Sequence, residues 1–241
     1  MRILYDNLLR NASSILPSNE DAQYGVANLL VSSLSISYKT TNTSTPNITI
    51  EWATDVDINC IALAGANINS VIIILYDALD NILDTHEFDI EYSTDIKYFD
   101  VQSVRKVYLD FTSNDDYAEI GAMSIGKYLQ MPNPLWGYSE NFEITNKRET
   151  SLVGQVYGSD GSVLRTYSPS FRMVDYSTMN SIKNMVREVR NYKSFFVDML
   201  EYAHDKKQPL YCSLNAASFD NANDQRGVEY ASCALKIMEV L

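Results

Sequence analysis

Between Ile58 and Asp77 the chain reads INCIALAGANINSVIIILYD: an apolar run, a small polar turn at Gly65-Ala66-Asn67-Ile68-Asn69, and a second apolar run. Runs this short, rich in Ile and Val and bounded by Gly and Asn, read as two buried strands joined by a loop. In the second run Val71, Ile73 and Leu75 face one way, and Ile72, Ile74 and Tyr76 the other. A strand that is apolar on both faces has to be covered on both, which predicts a sandwich core.

The flanking sequence continues the strand pattern. Asn47 to Ala53 alternates, with Ile48, Ile50 and Trp52 on one face, and Val104 to Phe111 sets Val107, Leu109 and Phe111 against Lys106, Tyr108 and Asp110. Arg2 to Leu8 opens with a short strand, Ser32 to Tyr38 alternates serine with apolar residues, and Asp77-Ala78-Leu79-Asp80-Asn81 is a hairpin turn. With Ile82 to Ile90, Lys97 to Val101 and Ile120 to Tyr128 there are about eight strand candidates and no convincing helix, the mark of an antiparallel sandwich or jelly roll.

Met131-Pro132-Asn133-Pro134 is the best boundary, since two prolines block regular structure. Charge also changes there: residues 1–128 carry 7 Lys+Arg against 18 Asp+Glu, a net of −11, and residues 129–241 carry 12 against 13, a net of −1. The division is 1–130 for the sandwich and 131–241 for the rest. Beyond the boundary, Tyr138 to Lys147, Ser151 to Tyr157 and Val163 to Val174 read as strands. Ser177 then caps the one clear helix, whose apolar stripe is Met179, Ile182, Met185, Val186 and Val189. Lys193 to Met199, Leu210 to Ala216 and Val228 to Glu239 close the unit as strands. The predicted fold is mainly β: an N-terminal antiparallel β-sandwich or jelly roll, followed by an α+β domain with one main helix.

Four sequence pieces, Tyr5-Asp6-Asn7-Leu8, Ala27-Asn28-Leu29-Leu30, Ile48-Thr49-Ile50-Glu51 and Ile61-Ala62-Leu63-Ala64-Gly65-Ala66-Asn67-Ile68, come in an order that resembles the discoidin-like, galactose-binding-type β-sandwich of tailed-bacteriophage structural proteins. Val107-Tyr108-Leu109-Asp110-Phe111 and Ile120-Gly121-Ala122-Met123-Ser124-Ile125-Gly126 match its later strands. In the second half, Gly154-Gln155-Val156, Ser170-Phe171-Arg172 and Leu210-Tyr211-Cys212 resemble the α+β segment that follows this sandwich in phage tail and virion proteins. The resemblance implies a virion component of the tail or baseplate, assembled in the host cytoplasm into a ring-like homo-oligomer with neighbouring tail proteins. The alternative it leaves open is a glycan-binding module for a host surface carbohydrate. Exposed Trp or Tyr beside Asn or Asp in one loop cluster would favour that alternative.

The residues supply little for catalysis. Two histidines and three cysteines lie at no metal-ligand spacing, and no Gly-x-Ser-x-Gly or phosphate-binding loop occurs. The acidic run from Asp77 to Asp89 lacks the ligand spacing of a calcium loop and reads as a solvated edge that discourages strand pairing. The expectation is therefore no enzyme and no cofactor. An acidic first half repels nucleic acid and anionic membrane. Arg2, Asp6 and Arg10 within the first ten residues argue against a signal peptide, and no run approaches the ~20 apolar residues of a membrane-spanning helix. Cys60, Cys212 and Cys233 are expected as buried free thiols. Because interface cores favour aromatics and Arg, the candidate contact residues are Trp136, Tyr138, Phe171, Arg172 and Phe196.

Overall fold

The computed structural model describes residues 1–31, 33–42, 46–113, 115–132, 139–144, 148–150, 156–158, 163–190, 192–199, 209–223 and 229–240. Its strands are β1 (Arg2–Leu4), β2 (Ser14–Pro17), β3 (Tyr38–Lys39), β4 (Asn47–Ala64), β5 (Ser70–Tyr76), β6 (Ile82–Asp89), β7 (Thr94–Thr112), β8 (Glu119–Ile120), β9 (Ala122–Gly126) and β10 (Leu129–Gln130). The second half adds β11 (Ser139–Ile144), β12 (Arg148–Thr150), β13 (Val156–Gly158), β14 (Val163–Ser168), β15 (Ser170–Val174), helix α1 (Tyr176–Val189), β16 (Ser194–Asp198), β17 (Leu210–Asn223) and β18 (Glu229–Glu239). The fold is mainly β, with antiparallel pairing and one α-helix among the described residues.

The sandwich is built on one long antiparallel ladder. β4 and β7 run side by side, with register shifts between Glu51 and Val56 and between Ile58 and Cys60. Such shifts bend a strand. Before the bend the ladder collects β2 on one side and β5 and β6 on the other; after it, β9 joins β4. Ile48, Ile50 and Trp52 from the first part, and Ile61, Leu63, Met123 and Ile125 from the second, meet Val71, Ile73, Leu75, Val107, Leu109 and Phe111 in one core. The two halves of the ladder have therefore become the two layers of the sandwich. β4 and β5 are not hydrogen-bonded to each other; both flank β7, so the loop between them crosses from one side of that strand to the other.

The second sheet runs β10-β1-β16-β17-β18-β14-β11, with β15 also on β18. Helix α1 covers one of its faces, burying Met179, Ile182, Met185 and Val189 against Phe171, Val174, Phe195, Val197 and Ile237. The other face puts Leu4, Phe196 and Tyr211 against Cys60, Ala62, Ala64 and Ala122 of the sandwich. From Ile58 onward β4 is thus buried on both sides, large residues toward the sandwich core and small ones toward the second sheet.

Three expectations differ from the structure. The opening strand pairs with β16 and β10 rather than with the sandwich, so residues 2–4 and 129–130 hydrogen-bond into the second sheet across the 130/131 division. Ile3 draws it there, packing with Met1, Met131 and Val197 beneath the helix. The Ser32–Tyr38 run, read as a strand from its alternation, reaches strand geometry only at Tyr38–Lys39, and the chain before it forms a 3-10 turn at Val26–Leu30. Side chains hold it in that form: Val26 N–H donates to Glu20 Oε2 at 2.7 Å, and Asn28 Nδ2 donates to the Ser37 carbonyl at 2.8 Å. The helix cap is Asp175, not Ser177; its Oδ1 accepts from Thr178 N–H at 2.9 Å.

The three cysteines are buried free thiols. Burial pushes the Cys60 thiol up to about 12. The Asp77 turn is closed by its own bonds, with Oδ1 accepting from the N–H groups of Leu79 and Asn81.

Two tests follow from this packing. A Cβ added at Gly126 would lie 2.5 Å from the Asp6 carbonyl oxygen, a backbone atom that cannot swing away. Gly126→Ala should cost about 1–3 kcal/mol in urea denaturation. Hydrogen bonds from the Ser177 and Thr178 hydroxyls hold the Asp175 carboxyl far below its ordinary 3.8. A carboxylate depressed in the folded state stabilises above its unfolded pKa and loses that contribution as pH falls. Below about pH 4 the helical circular dichroism should decline less steeply for Asp175→Asn, which caps without titrating, than for the wild type.

Candidate functional site

One end of the sandwich gathers four stretches: residues 19–25 with Tyr38–Lys39 behind them, 65–69, 90–93, and Ser113 with residues 115–118. Backbone bonds bring them together. Lys39 N–H donates to the Tyr24 carbonyl at 2.9 Å, Ala66 N–H to Ser93 at 3.2 Å and Thr40 N–H to Ala118 at 2.9 Å. β3 pairs with β8 at Tyr38↔Ile120 and Lys39↔Glu119. Gly65 allows the turn out of β4, since its φ of +62° lies where L side chains are rarely found.

Asn67 holds the loops in register. Its N–H donates to the Glu119 carbonyl at 3.2 Å and its Oδ1 accepts from Glu119 N–H at 2.6 Å. Its Nδ2 donates to Asp115 Oδ2 at 3.0 Å and to the Tyr117 carbonyl at 3.1 Å. Ser113 Oγ donates to the Asn67 carbonyl at 3.2 Å. The backbone beside Tyr117 is thereby tied on both sides, while the side chain of Tyr117 stays 40% exposed.

Lys39 stands at the centre. Its Nζ lies 4.4 Å from the centroid of the Tyr24 ring and 5.5 Å from that of Tyr117, within the range of a cation–π contact. It is also 3.2 Å from Glu119 Oε1, which accepts from Ser37 Oγ at 2.6 Å. The hydrogen bond to Glu119 holds the Lys39 ammonium above its ordinary range. Beneath it Tyr38 is buried, donating its hydroxyl to the Asn19 carbonyl at 2.9 Å, and burial pushes its phenol up to about 12. Tyr92, exposed on the neighbouring 90–93 loop, adds another ring to this end. The result is a surface of phenol rings bracketing one fixed ammonium, with amide and carboxylate groups beside it.

The residues expected from sequence lie elsewhere. Trp136 and Tyr138 fall outside the described residues. Phe171 is buried under α1 and Phe196 is buried between the second sheet and the sandwich, so both face this chain's own interior rather than a partner. Arg172 is exposed beside the start of the helix. Of the loop-end set, sequence singled out only Gly65 and Asn67; Tyr24, Lys39, Asp115, Tyr117 and Glu119 lie far apart along the chain, and the one local signal was the polar run Ser113 to Tyr117 between two strands.

No protein-family model and no curated protein sequence matches the chain. Solved structures similar to it include the lectin domain of lectinolysin complexed with Lewis B antigen (9% identity, TM-score 0.44, covering 51% of this chain and 96% of that one). A fucose-binding module of Streptococcus pneumoniae, SpX-3, gives 14% identity and a TM-score of 0.43 over 50% of this chain and 96% of its own. Chitosan-binding module 1 of a Paenibacillus sp. IK-5 chitosanase/glucanase gives 13% and 0.43 over 50% and 98%. These likenesses are distant, and what those proteins bind belongs to them; the reading of this chain rests on its own loop end.

Replacing Asn67 removes the bonds that join two loops. Asn67→Ala should lower stability by about 1–3 kcal/mol, the scale for orphaning paired polar groups, and should speed amide exchange at Glu119 more than at strand β5.

Proposed function

We propose that the sandwich is a carbohydrate-binding module that holds a sugar at the loop end formed by Tyr24, Lys39, Asn67, Asp115 and Tyr117, without catalysis. The observation that carries this reading is the pair of tyrosines, one of them 40% exposed, both within cation–π range of Lys39, at the loop end where the Asn67 and Asp115 side chains are bonded to each other. A pyranose presents a face of C–H bonds and an edge of hydroxyls. Tyrosine suits the face, because its ring is apolar and stiff while its hydroxyl stays wet. Ammonium, amide and carboxylate groups suit the edge, and here they are held in place by Glu119, Ser37 and Asn67 before any ligand arrives. Such preorganisation lowers the cost of binding.

Lys39 and Glu119 neutralise each other and support the loop, an arrangement for orienting hydroxyls rather than for moving protons. The tail or baseplate reading rests on the sequence resemblance alone.

A glycan array followed by titration calorimetry tests the proposal. The wild-type chain should bind a defined set of glycans, and Tyr117→Ala should weaken that binding at least about tenfold, 1.4 kcal/mol, with an unchanged melting temperature. A wild-type chain that binds no glycan, or a Tyr117→Ala variant that binds as well as wild type, overturns it.

A further inference from the structure

We propose that copies of this chain associate head to tail, the outer face of one sandwich receiving the α1 face of the next copy. The two surfaces stand at opposite ends of one stack of layers. The β2-β4-β7-β5-β6 layer is outermost at one end; the second sandwich layer, the second sheet and finally α1 follow.

The sandwich end has the anatomy of an interface. Strand register aligns Leu16, Thr49, Tyr108, Ile74 and Thr85 across its outer face. Beside this row Tyr76 stands opposite Ile82, and Ile82 is 61% and Leu79 82% exposed at the β5–β6 turn. Around these apolar groups the outward positions include the acidic Glu51, Asp110 and Glu87, with Asp89 opposite Ser70 and neutral Ser14, Asn47 and Thr112 among them. Lys106 on this face is paired with Asp80 and lies 4.4 Å from the Tyr76 ring, and Lys97, reaching the edge of β6, donates to the Glu87 carbonyl at 3.3 Å.

The helix end is its complement. Residues 172–193 carry five Lys+Arg against two Asp+Glu. Asp175 is the helix cap, and Glu188 is paired with Lys193. Arg172, Arg187 and Arg190 remain exposed, making within this segment only contacts such as Arg187 to Asn184 and Arg190 to the Arg187 carbonyl. Tyr176 and Tyr192, at the two ends of the helix, are 63% and 61% exposed. Tyr and Arg are the residues that binding hot spots favour, and an acidic rim around aliphatic groups is what they match in charge and in chemistry. Because the two surfaces differ, the contact is heterologous and repeats, giving a ring where the rotation closes and a filament where it does not.

Light scattering of the intact chain across concentration tests this. At low ionic strength the mass should rise above the 27.3 kDa of one copy, and it should fall back as salt screens the contact. Glu87→Lys and Arg187→Glu, both at exposed positions, should each weaken self-association at least about tenfold, and an equimolar mixture of the two variants should recover it, since each then offers the other a matching pair. A monomer at every concentration in low salt overturns the proposal. So does an oligomer that neither substitution affects. An oligomer broken by Glu87→Lys but indifferent to Arg187→Glu would mean sandwich-to-sandwich pairing and also overturns it.

Discussion

The structure depends on a strand segment that is buried on both sides with residues of two sizes. Along Cys60–Ala64 and Ala122–Gly126, large side chains point into the sandwich and Cys, Ala, Ser and Gly point out of it. Small outward residues let a second sheet approach, and Phe196 and Tyr211 fill the space with rings whose centroids are 4.8 Å apart. The edge of this contact is polar and closed by aromatics. The Arg2 guanidinium lies 4.2 Å from the centroid of the Tyr98 ring and 5.1 Å from that of Tyr128, and Tyr98 donates its hydroxyl to Asp198 Oδ2 at 3.0 Å. Burial, together with that carboxylate, pushes the Tyr98 phenol far above its ordinary range. Among the described residues Arg2 Nε has no hydrogen-bond partner, and the two ring faces lie against its guanidinium at cation–π range.

That constraint also explains what sequence could reveal. Alternation over Asn47–Trp52 and Val104–Phe111, and the unbroken apolar run from Ile58, gave the sandwich and its double-sided strand, because burial period is a local property. The helix was legible from its stripe for the same reason. The placement of Arg2–Leu4 was not, since three residues show no period, and their destination depends on a sheet completed by β16 almost two hundred positions later. Nor was the 26–30 turn, whose form is set by the reach of Glu20 and Asn28 side chains. Phe171 and Phe196 misled as contact candidates because an aromatic suited to an interface is equally suited to a core, and only the tertiary structure says which. The loop-end set was hidden for a different reason: Lys39, Asn67 and Tyr117 become neighbours only through the β3–β8 pairing and the bonds of Asn67.

The same long ladder places the two proposed surfaces apart. β5 begins at Ser70, beside the Asn67 loop, and ends at Tyr76, beside the Leu79 turn, so the loop end and the exposed apolar turn lie at opposite ends of one strand. At about 3.3 Å per residue its seven residues span roughly 20 Å, so a contact centred on Tyr76, Leu79 and Ile82 would leave the loop end open. Head-to-tail association would then present many identical loop ends on one assembly. Single sugar sites held by a few rings and hydrogen bonds bind weakly, and linking them raises avidity without any new contact, provided the spacing of the sites matches that of the glycans. The inverse also holds: an assembly that covered the loop end would gain nothing from repeating it. The separation of the Asn67 loop from the Leu79 turn by the length of β5 is therefore the feature that would let assembly and recognition, as proposed, reinforce each other in a single chain.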